Sequence, residues 1–465
     1  MDPRSVQFVA SACGGDLETG SPQAQVLRTC TDSRRVQPGD LFIALPGDHF
    51  DGHDFLIEVK RKGAAAVVAA RKRTPSDLNG CAIIAVEDTR KALGRLAAAY
   101  RTQFAASIIA VGGSNGKTTT KELVASVLKQ KLPTLWSEAS FNNDIGVPLT
   151  LLSLSRSHRV AVIEVGTNHP GEMAPLLRMV QPRYAIITSI GREHLEFFGD
   201  LAGVAREQGA LAEALPADGK LFVAGDSEWT ARLAARSAAP VVRVGELAGN
   251  DWRASDIRVE KQGVAFHVDG PVAELAGDYR IHLFGRHQAI NALFAIALGA
   301  ELGLARAAIE RGLAECKPAR MRMELWEHHG AQILDDAYNA NADSMFAALQ
   351  TLQEFPCKGR RVAVLGDMAE LGEHSEAAHE EVGRKAAELG VGQLFAVGKM
   401  APVIGRGARE GGLNRVMEFA DVETAAAAVK SFLKSGDVVL LKASRAARLE
   451  RISEHLRRAE NGREK

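Results

Sequence analysis

The chain has 465 residues, 46% of them hydrophobic and 25% charged, with 44 Gly and 16 Pro, a composition that excludes disordered, collagen-like and disulfide-stapled classes. At ~100–200 residues per domain this length makes roughly two to four domains. Lys plus Arg and Asp plus Glu both number 57, so no net field draws the chain to nucleic acid or an anionic membrane, and any bound anion must be gripped locally.

In chain order, apolar runs at 41–45, 64–70 and 82–86 alternate with Gly- and Asp-rich turns, which predicts a small α/β domain over 1–88. The Ala-rich amphipathic stretch KALGRLAAAYRTQF predicts a linking helix that delivers the chain into a parallel strand at 107–113. Strand candidates at 107–111, 160–165, 185–190 and 220–225 alternate with helical stretches. That rhythm predicts a mostly parallel sheet with helices on both faces, in a central domain over 89–314. Residues 250–285 alternate polar and apolar between Gly turns, as an antiparallel appendage would, and HQAINALFAIALGAELG reads as a closing helix. Strand candidates at 332–337, 361–367, 393–398 and 437–444 predict a third, doubly wound α/β domain over 315–465, ending in the polar tail RRAENGREK.

The five Cys, at 13, 30, 81, 316 and 357, are scattered and show no C-x-x-C pair, so they read as reduced thiols. No apolar run approaches the ~20 residues of a membrane-spanning helix, and the opening residues lack a secretory pattern. A cytoplasmic monomer is expected, without membrane insertion or a nucleic-acid partner.

The predicted strand at 107–111 runs into Gly112-Gly113-Ser114-Asn115-Gly116-Lys117-Thr118-Thr119-Thr120 and then a helix. Glycines let backbone N–H groups close around phosphate oxygens and the helix N-terminus adds a positive dipole end. Lys117 can reach the terminal phosphates, and the Thr118 hydroxyl can hold Mg²⁺. The common G-x-x-x-x-G-K-[ST] spacing would need Gly at 111, which is Val, so this loop is a shorter version. Alone it fixes a nucleoside triphosphate site and leaves open a switch ATPase, a kinase or a ligase. Glu164, at the carboxyl end of a strand, and His194, in the loop after the next, suit a divalent ion at that loop; an ordinary strand-end role is the other reading.

The short loop, VIEVGTNHPGEM and SIGREHLEFFG together resemble the Mur ligase family of ATP-dependent amide ligases. The stretches TDSRRVQPGDLFIALPGDHFDGHDF, SFNNDIGVPLTLL, LDDAYNANADSMFAAL and VLGDMAELGEHSEAAHEEVG extend the resemblance through all three predicted domains. It implies an N-terminal UDP-binding domain, a central P-loop ATPase domain and a C-terminal Rossmann-like domain for D-alanyl-D-alanine. The implied reaction phosphorylates the terminal carboxylate of UDP-N-acetylmuramoyl-tripeptide with ATP, and the amine of D-alanyl-D-alanine then attacks the acyl phosphate. Thr118, Glu164 and His194 are the implied Mg²⁺ ligands; Asn291 would contact adenine, Arg320 would bring a cation from the third domain, and Asp336 would hold ribose or help close the site. Ser33, Arg34 and the turn Asp51-Gly52-His53 are implied at the uridine diphosphate. Asn142 and Asn143 are expected on the peptide or sugar amide, although turn formation is their other reading. Tyr338, Asn339, Asn341 and the loop 366–372 are expected around D-alanyl-D-alanine, with Met368 and Leu371 as packing residues.

Two positions depart from the family pattern. Gln208 stands where many relatives carry a Lys whose carbamate supports a second metal ion, which leaves that ion to Glu207, to the Gln carbonyl, to phosphate and water, or weakly bound. Ala443 stands where relatives often have Gly, at a close backbone approach. The other readings are another Mur-type or folylpolyglutamate-type ligase, against which DDAYNANADSM and LGDMAELG argue, and a nucleotide-dependent binding protein whose altered metal site no longer turns over.

Overall fold

The computed structural model describes residues 1–74, 78 and 80–461. Among these residues the strands form sheets of two, five, nine and six strands. In the five-stranded sheet Arg28–Cys30, Asp40–Ile43, Ala66–Ala70 and Ala82–Val86 run parallel, and Asp16–Thr19 closes one edge antiparallel. The three inner strands carry the apolar runs read from the sequence; the edge strands are short and polar, so no periodicity announced them.

Helix Thr89–Arg101 starts at Asp88, whose carboxylate accepts from the Arg90 and Lys91 N–H groups, satisfying donors that a helix start leaves unpaired. Its buried face carries Leu93, Leu96 and Tyr100. One apolar cluster runs from Val6 and Leu41 through these side chains to Ile108, Ile163 and Leu211. The expected linker is therefore a shared wall between two sheets, each fully buried Leu contributing about 1.5–3 kcal/mol.

In the nine-stranded sheet Ser107–Gly112 lies between Tyr184–Ile187 and Val160–Glu164, all parallel. Connections leave this strand toward one side and later return on the other, which makes its carboxyl end the switch point where ligands of such sheets gather. Trp252–Glu260, Gly263–Asp269 and Gly277–Ile281 form the antiparallel extension at the far edge. Helices Lys117–Leu128 and Gln288–Glu301 cover one face, over Ile109, Val111 and Val162.

The six-stranded sheet runs Glu324–His328, Ala331–Asp335, Val438–Lys442, Arg361–Gly366, Gln393–Val397, Val416–Phe419, with only the first pair antiparallel. The outermost strands, partly exposed, had no clear sequence signal. The expected polar tail is a correction: helix Glu450–Asn461 takes in its first half, because buried Ile452 and Leu456 anchor it, while residues 462–465 lie outside the described residues. All five cysteines are unpaired, and burial pushes the Cys13 and Cys316 thiols up to about 12. No helix among the described residues is long and apolar enough to cross a membrane.

Candidate active site

The phosphate loop follows directly from strand Ser107–Gly112. Gly113 and Gly116 have φ of +111° and +84°, a region that favours glycine, and space demands it too: a Cβ would lie 2.4 Å from Thr188 Oγ1 and 2.6 Å from Asn291 Oδ1, respectively. Helix Lys117–Leu128 opens on Gly116 with no side-chain cap, so its first N–H groups point into the loop. Ser114 Oγ and the Asn115 backbone are tied to residues 188–191. Lys117 Nζ donates to the Gly113 and Ser114 carbonyls at 2.5 and 3.0 Å and to Glu193 Oε2 at 3.1 Å.

Thr118 Oγ1 donates to Glu164 Oε1 at 3.2 Å, and Asn142 Nδ2 donates to the same oxygen at 2.9 Å. Lys121, a residue sequence reading passed over, is fully buried. It donates to the Ser137 carbonyl at 2.8 Å and to that of Ala139, and stands 3.6 Å from Glu164 Oε2. Its only signal was a Lys on the inward face of an amphipathic helix. Asn143 instead shapes the turn ahead of helix Gly146–Leu151, its Oδ1 accepting from the Ile145 and Gly146 N–H groups, and it is not among the residues that line the cavity.

The third domain supplies the opposite wall. Arg320 is exposed and outside the cavity; Arg322 lines it instead. Met321 and Met323 both have positive φ, so the chain turns at each, and buried Met323 lines the cavity together with Arg322. Its guanidinium lies 4.2 Å from the Tyr338 ring centre, and Nη2 lies 3.4 Å from Thr118 Oγ1. Asp336 spends both oxygens on holding this turn, one accepting from the Met323 N–H at 3.1 Å and the other pairing with buried Lys442 at 2.5 Å. Lys442 also donates to the Asn339 carbonyl.

Further contacts join the domains around the loop. Asn341, the N-cap of helix Ala342–Glu354, donates to Asn115 Oδ1 at 3.0 Å. Arg192 pairs with Asp343 and Glu381, each at 2.7 Å, and covers the Phe346 ring. His194 Nδ1 pairs with Glu370 Oε2, and this hydrogen bond holds the Glu370 carboxyl below the usual carboxylate range. Both residues have positive φ, a strained state that packed sites tolerate where side-chain placement demands it.

These elements enclose a cavity of about 680 Å³, within the range of small-molecule sites. Ser114, Asn115, Gly116, Lys117, Thr118, Thr119, Asn142, Glu164, His194, Asn291, Asp336, Tyr338, Asn339 and Asn341 line it, joined by Ala369, Glu370 and Leu371. Asn291 is committed inside the fold, accepting from Thr120 and donating to Gln288, so it buttresses the loop. His287 also lines the cavity, and burial pushes its imidazole down to about 4.

The first-domain residues lie elsewhere. Arg34 pairs with Asp32, and Ser33 gives its carbonyl to Lys62. The turn at Asp51-Gly52-His53 is consumed internally, His53 bonding Asp51 at 2.6 Å and accepting from the Ala70 N–H.

Both departures acquire a physical setting. Glu207 accepts from the Gly171 and Met173 N–H groups, and Gln208 accepts from the Gly113 N–H and donates to Glu193. Both side chains are thus engaged by hydrogen bonds within the chain. The Ala443 methyl fits because position 366 is glycine, where a Cβ would come within 2.8 Å of it.

A magnesium ion suits this donor set. Glu164 Oε2 is buried without a hydrogen-bond partner, beside the Thr118 hydroxyl at the mouth of a phosphate loop. Mg²⁺ takes oxygen ligands, commonly one or two carboxylates completed by substrate phosphates and water.

Three family models match the chain: Mur ligase middle domain at residues 111–299, Mur ligase, glutamate ligase domain at 321–445, and Mur ligase family, catalytic domain at 29–101. The UDP-N-acetylmuramoyl-tripeptide--D-alanyl-D-alanine ligase of Escherichia coli (strain K12) is 40% identical over 439 residues, covering 93% of each chain. A crystal structure of MurF from Acinetobacter baumannii superposes with a TM-score of 0.88 at 32% identity, covering 98% of each chain. The MurF ligase of Thermotoga maritima in complex with ADP superposes with a TM-score of 0.81 at 28% identity, covering 94% of this chain and 98% of that one.

Proposed function

This chain belongs to the Mur ligase family, and from that premise we propose that it joins D-alanyl-D-alanine to UDP-N-acetylmuramoyl-tripeptide in an ATP-dependent reaction. The observation that carries this reading is the single cavity walled on one side by the phosphate loop and on the other by Arg322, Tyr338 and Asn341.

The terminal carboxylate of the tripeptide attacks the γ-phosphorus of ATP, and ADP leaves. The approach brings anions together, so Lys117 and Arg322, arriving from different domains, neutralise the transferring phosphoryl group. Thr118 and Glu164, with His194 of the same cavity, would hold Mg²⁺, which supplies further charge neutralisation on the phosphates. Nitrogen of D-alanyl-D-alanine, as the free amine, then attacks the acyl carbon. Phosphate departs with one oxygen of the original carboxylate, the proton that the nitrogen gives up is balanced on the phosphate released, and an amide remains.

Closure of the third domain excludes water from the acyl phosphate; Arg192, Asn341 and Glu370 are the contacts that hold it shut. Tyr338, Asn339, Asn341 and the loop at 369–371 form the wall proposed for D-alanyl-D-alanine, with Asn142 toward the tripeptide. Ser33 and Arg34 remain proposed for the uridine diphosphate, outside the reacting cavity. The chain is proposed to act as a monomer. Free thiols and nucleotide-linked substrates fit a cytoplasmic reaction. Incubation with ATP and both substrates, followed by mass spectrometry, tests the reading: UDP-N-acetylmuramoyl-pentapeptide supports it, and unchanged tripeptide overturns it.

A further inference from the structure

Gln208 is 1% exposed, yet both ends of its amide are used: Oε1 accepts from the Gly113 N–H at 2.8 Å and Nε2 donates to Glu193 Oε1 at 3.1 Å. Glu193, itself buried, spends its other oxygen on Lys117 Nζ at 3.1 Å. Lys117 returns to the Gly113 carbonyl at 2.5 Å. Gly113, Gln208, Glu193 and Lys117 thus close a ring of hydrogen bonds through the phosphate loop.

We propose that Gln208 is a positioning residue that fixes the Lys117 ammonium through Glu193. A lysine ammonium is a point charge on a flexible four-carbon stem, so its placement depends on what anchors the anion beside it. The chemistry of position 208 is narrow. An amide accepts from a backbone N–H and donates to a carboxylate at once, without adding charge. A carboxylate there would face Glu193 as a like charge. An ammonium there would compete with Lys117 for Glu193 and leave the Gly113 N–H without an acceptor, at a desolvation cost. The ring therefore explains why Gln serves at 208, and it assigns Glu193 a task that the cavity lining alone does not.

This inference rests on the phosphate-loop reading above, and the test separates the two. ADP affinity is measured by calorimetry on the full chain, with kcat measured alongside. Gln208→Glu keeps the acceptor for Gly113 but sets two carboxylates together; about a tenfold loss of ADP affinity is expected, with KM for D-alanyl-D-alanine unchanged. In a Glu193→Gln background the same substitution should cost less than about twofold, because the new amide can donate to Glu at 208. Equal losses in both backgrounds, or no loss in the single variant, overturn the proposal. If Gln208→Glu does not fold, Gln208→Met, uncharged and of similar volume, should show the same loss of ADP affinity, and undiminished affinity overturns the proposal. Failure of the unaltered chain to bind ADP overturns the phosphate-loop reading itself.

Discussion

Arg322 Nη2 reaches to 3.4 Å from Thr118 Oγ1, so a cation carried by the third domain stands at a hydroxyl in the first turn of the nucleotide-loop helix of the second. Neither domain holds the complete site alone. Replacing Arg322 with Ala should lower kcat by about 10²-fold, the size of one preorganised electrostatic contact. Arg320→Ala, at the exposed position two residues earlier, should change it less than about twofold. Steady-state phosphate release compares them, and the reverse ranking would return the role to Arg320.

Lys117→Ala should lower turnover by at least ~10²-fold. Near-normal turnover would contradict the loop assignment.

Glu164→Gln removes the charge beside Thr118 and leaves the volume. The Mg²⁺ concentration needed for half-maximal turnover should rise about tenfold or more. A manganese titration followed by electron paramagnetic resonance reads the same loss without turnover, and an unchanged metal affinity would exclude Glu164 as a ligand.

His287 gives a pH dependence of stability. Its folded value, about 4, lies below the ordinary 6.5 because burial disfavours the imidazolium; Asp336 opposes this shift and Lys442 adds to it. Between those values the unfolded chain binds more protons, so stability is fully present above about 6.5 and is lost as pH falls toward 4. The full effect is on the order of 3 kcal/mol. Urea midpoints across this range should fall less steeply for His287→Asn, and identical slopes would contradict the assignment.

Arg192 is held by two carboxylates and an aromatic ring of the third domain. Arg192→Ala should lower kcat roughly tenfold through weaker closure with ADP affinity retained. Small-angle scattering of the variant should give a larger radius of gyration, and an unchanged radius with full activity would remove Arg192 from closure.

Local features of this site were legible in the sequence because local rules set them. The phosphate loop was readable since strand, glycines, Lys117 and Thr118 follow one another, and the inner strands since their apolar runs are buried on both faces. Arg320 came from the resemblance, whereas the cation that lines the cavity is Arg322, set in a turn by positive φ at Met321 and Met323 that these residue types do not announce. Gln208 was visible as a departure, but its partners at Gly113 and Glu193 are remote in sequence. Lys442 was hidden likewise: its partner Asp336 lies on the neighbouring strand's exit loop, and a lysine at a strand end gives no sign of burial. Asn143 and His53 show the converse, motif residues engaged inside the fold: the Asn143 oxygen by the N–H groups just after it in the chain, and the His53 ring by Asp51 and by the Ala70 N–H on another strand.

The most direct measurement follows the carboxylate oxygen. The tripeptide substrate is prepared with ¹⁸O in its terminal carboxylate and incubated with the chain, ATP and D-alanyl-D-alanine, and the released phosphate is analysed by mass. An acyl phosphate requires one labelled oxygen in each phosphate formed alongside each amide bond. Amide product accompanied by unlabelled phosphate would contradict phosphoryl transfer to the carboxylate, and with it the roles given to Lys117 and Arg322.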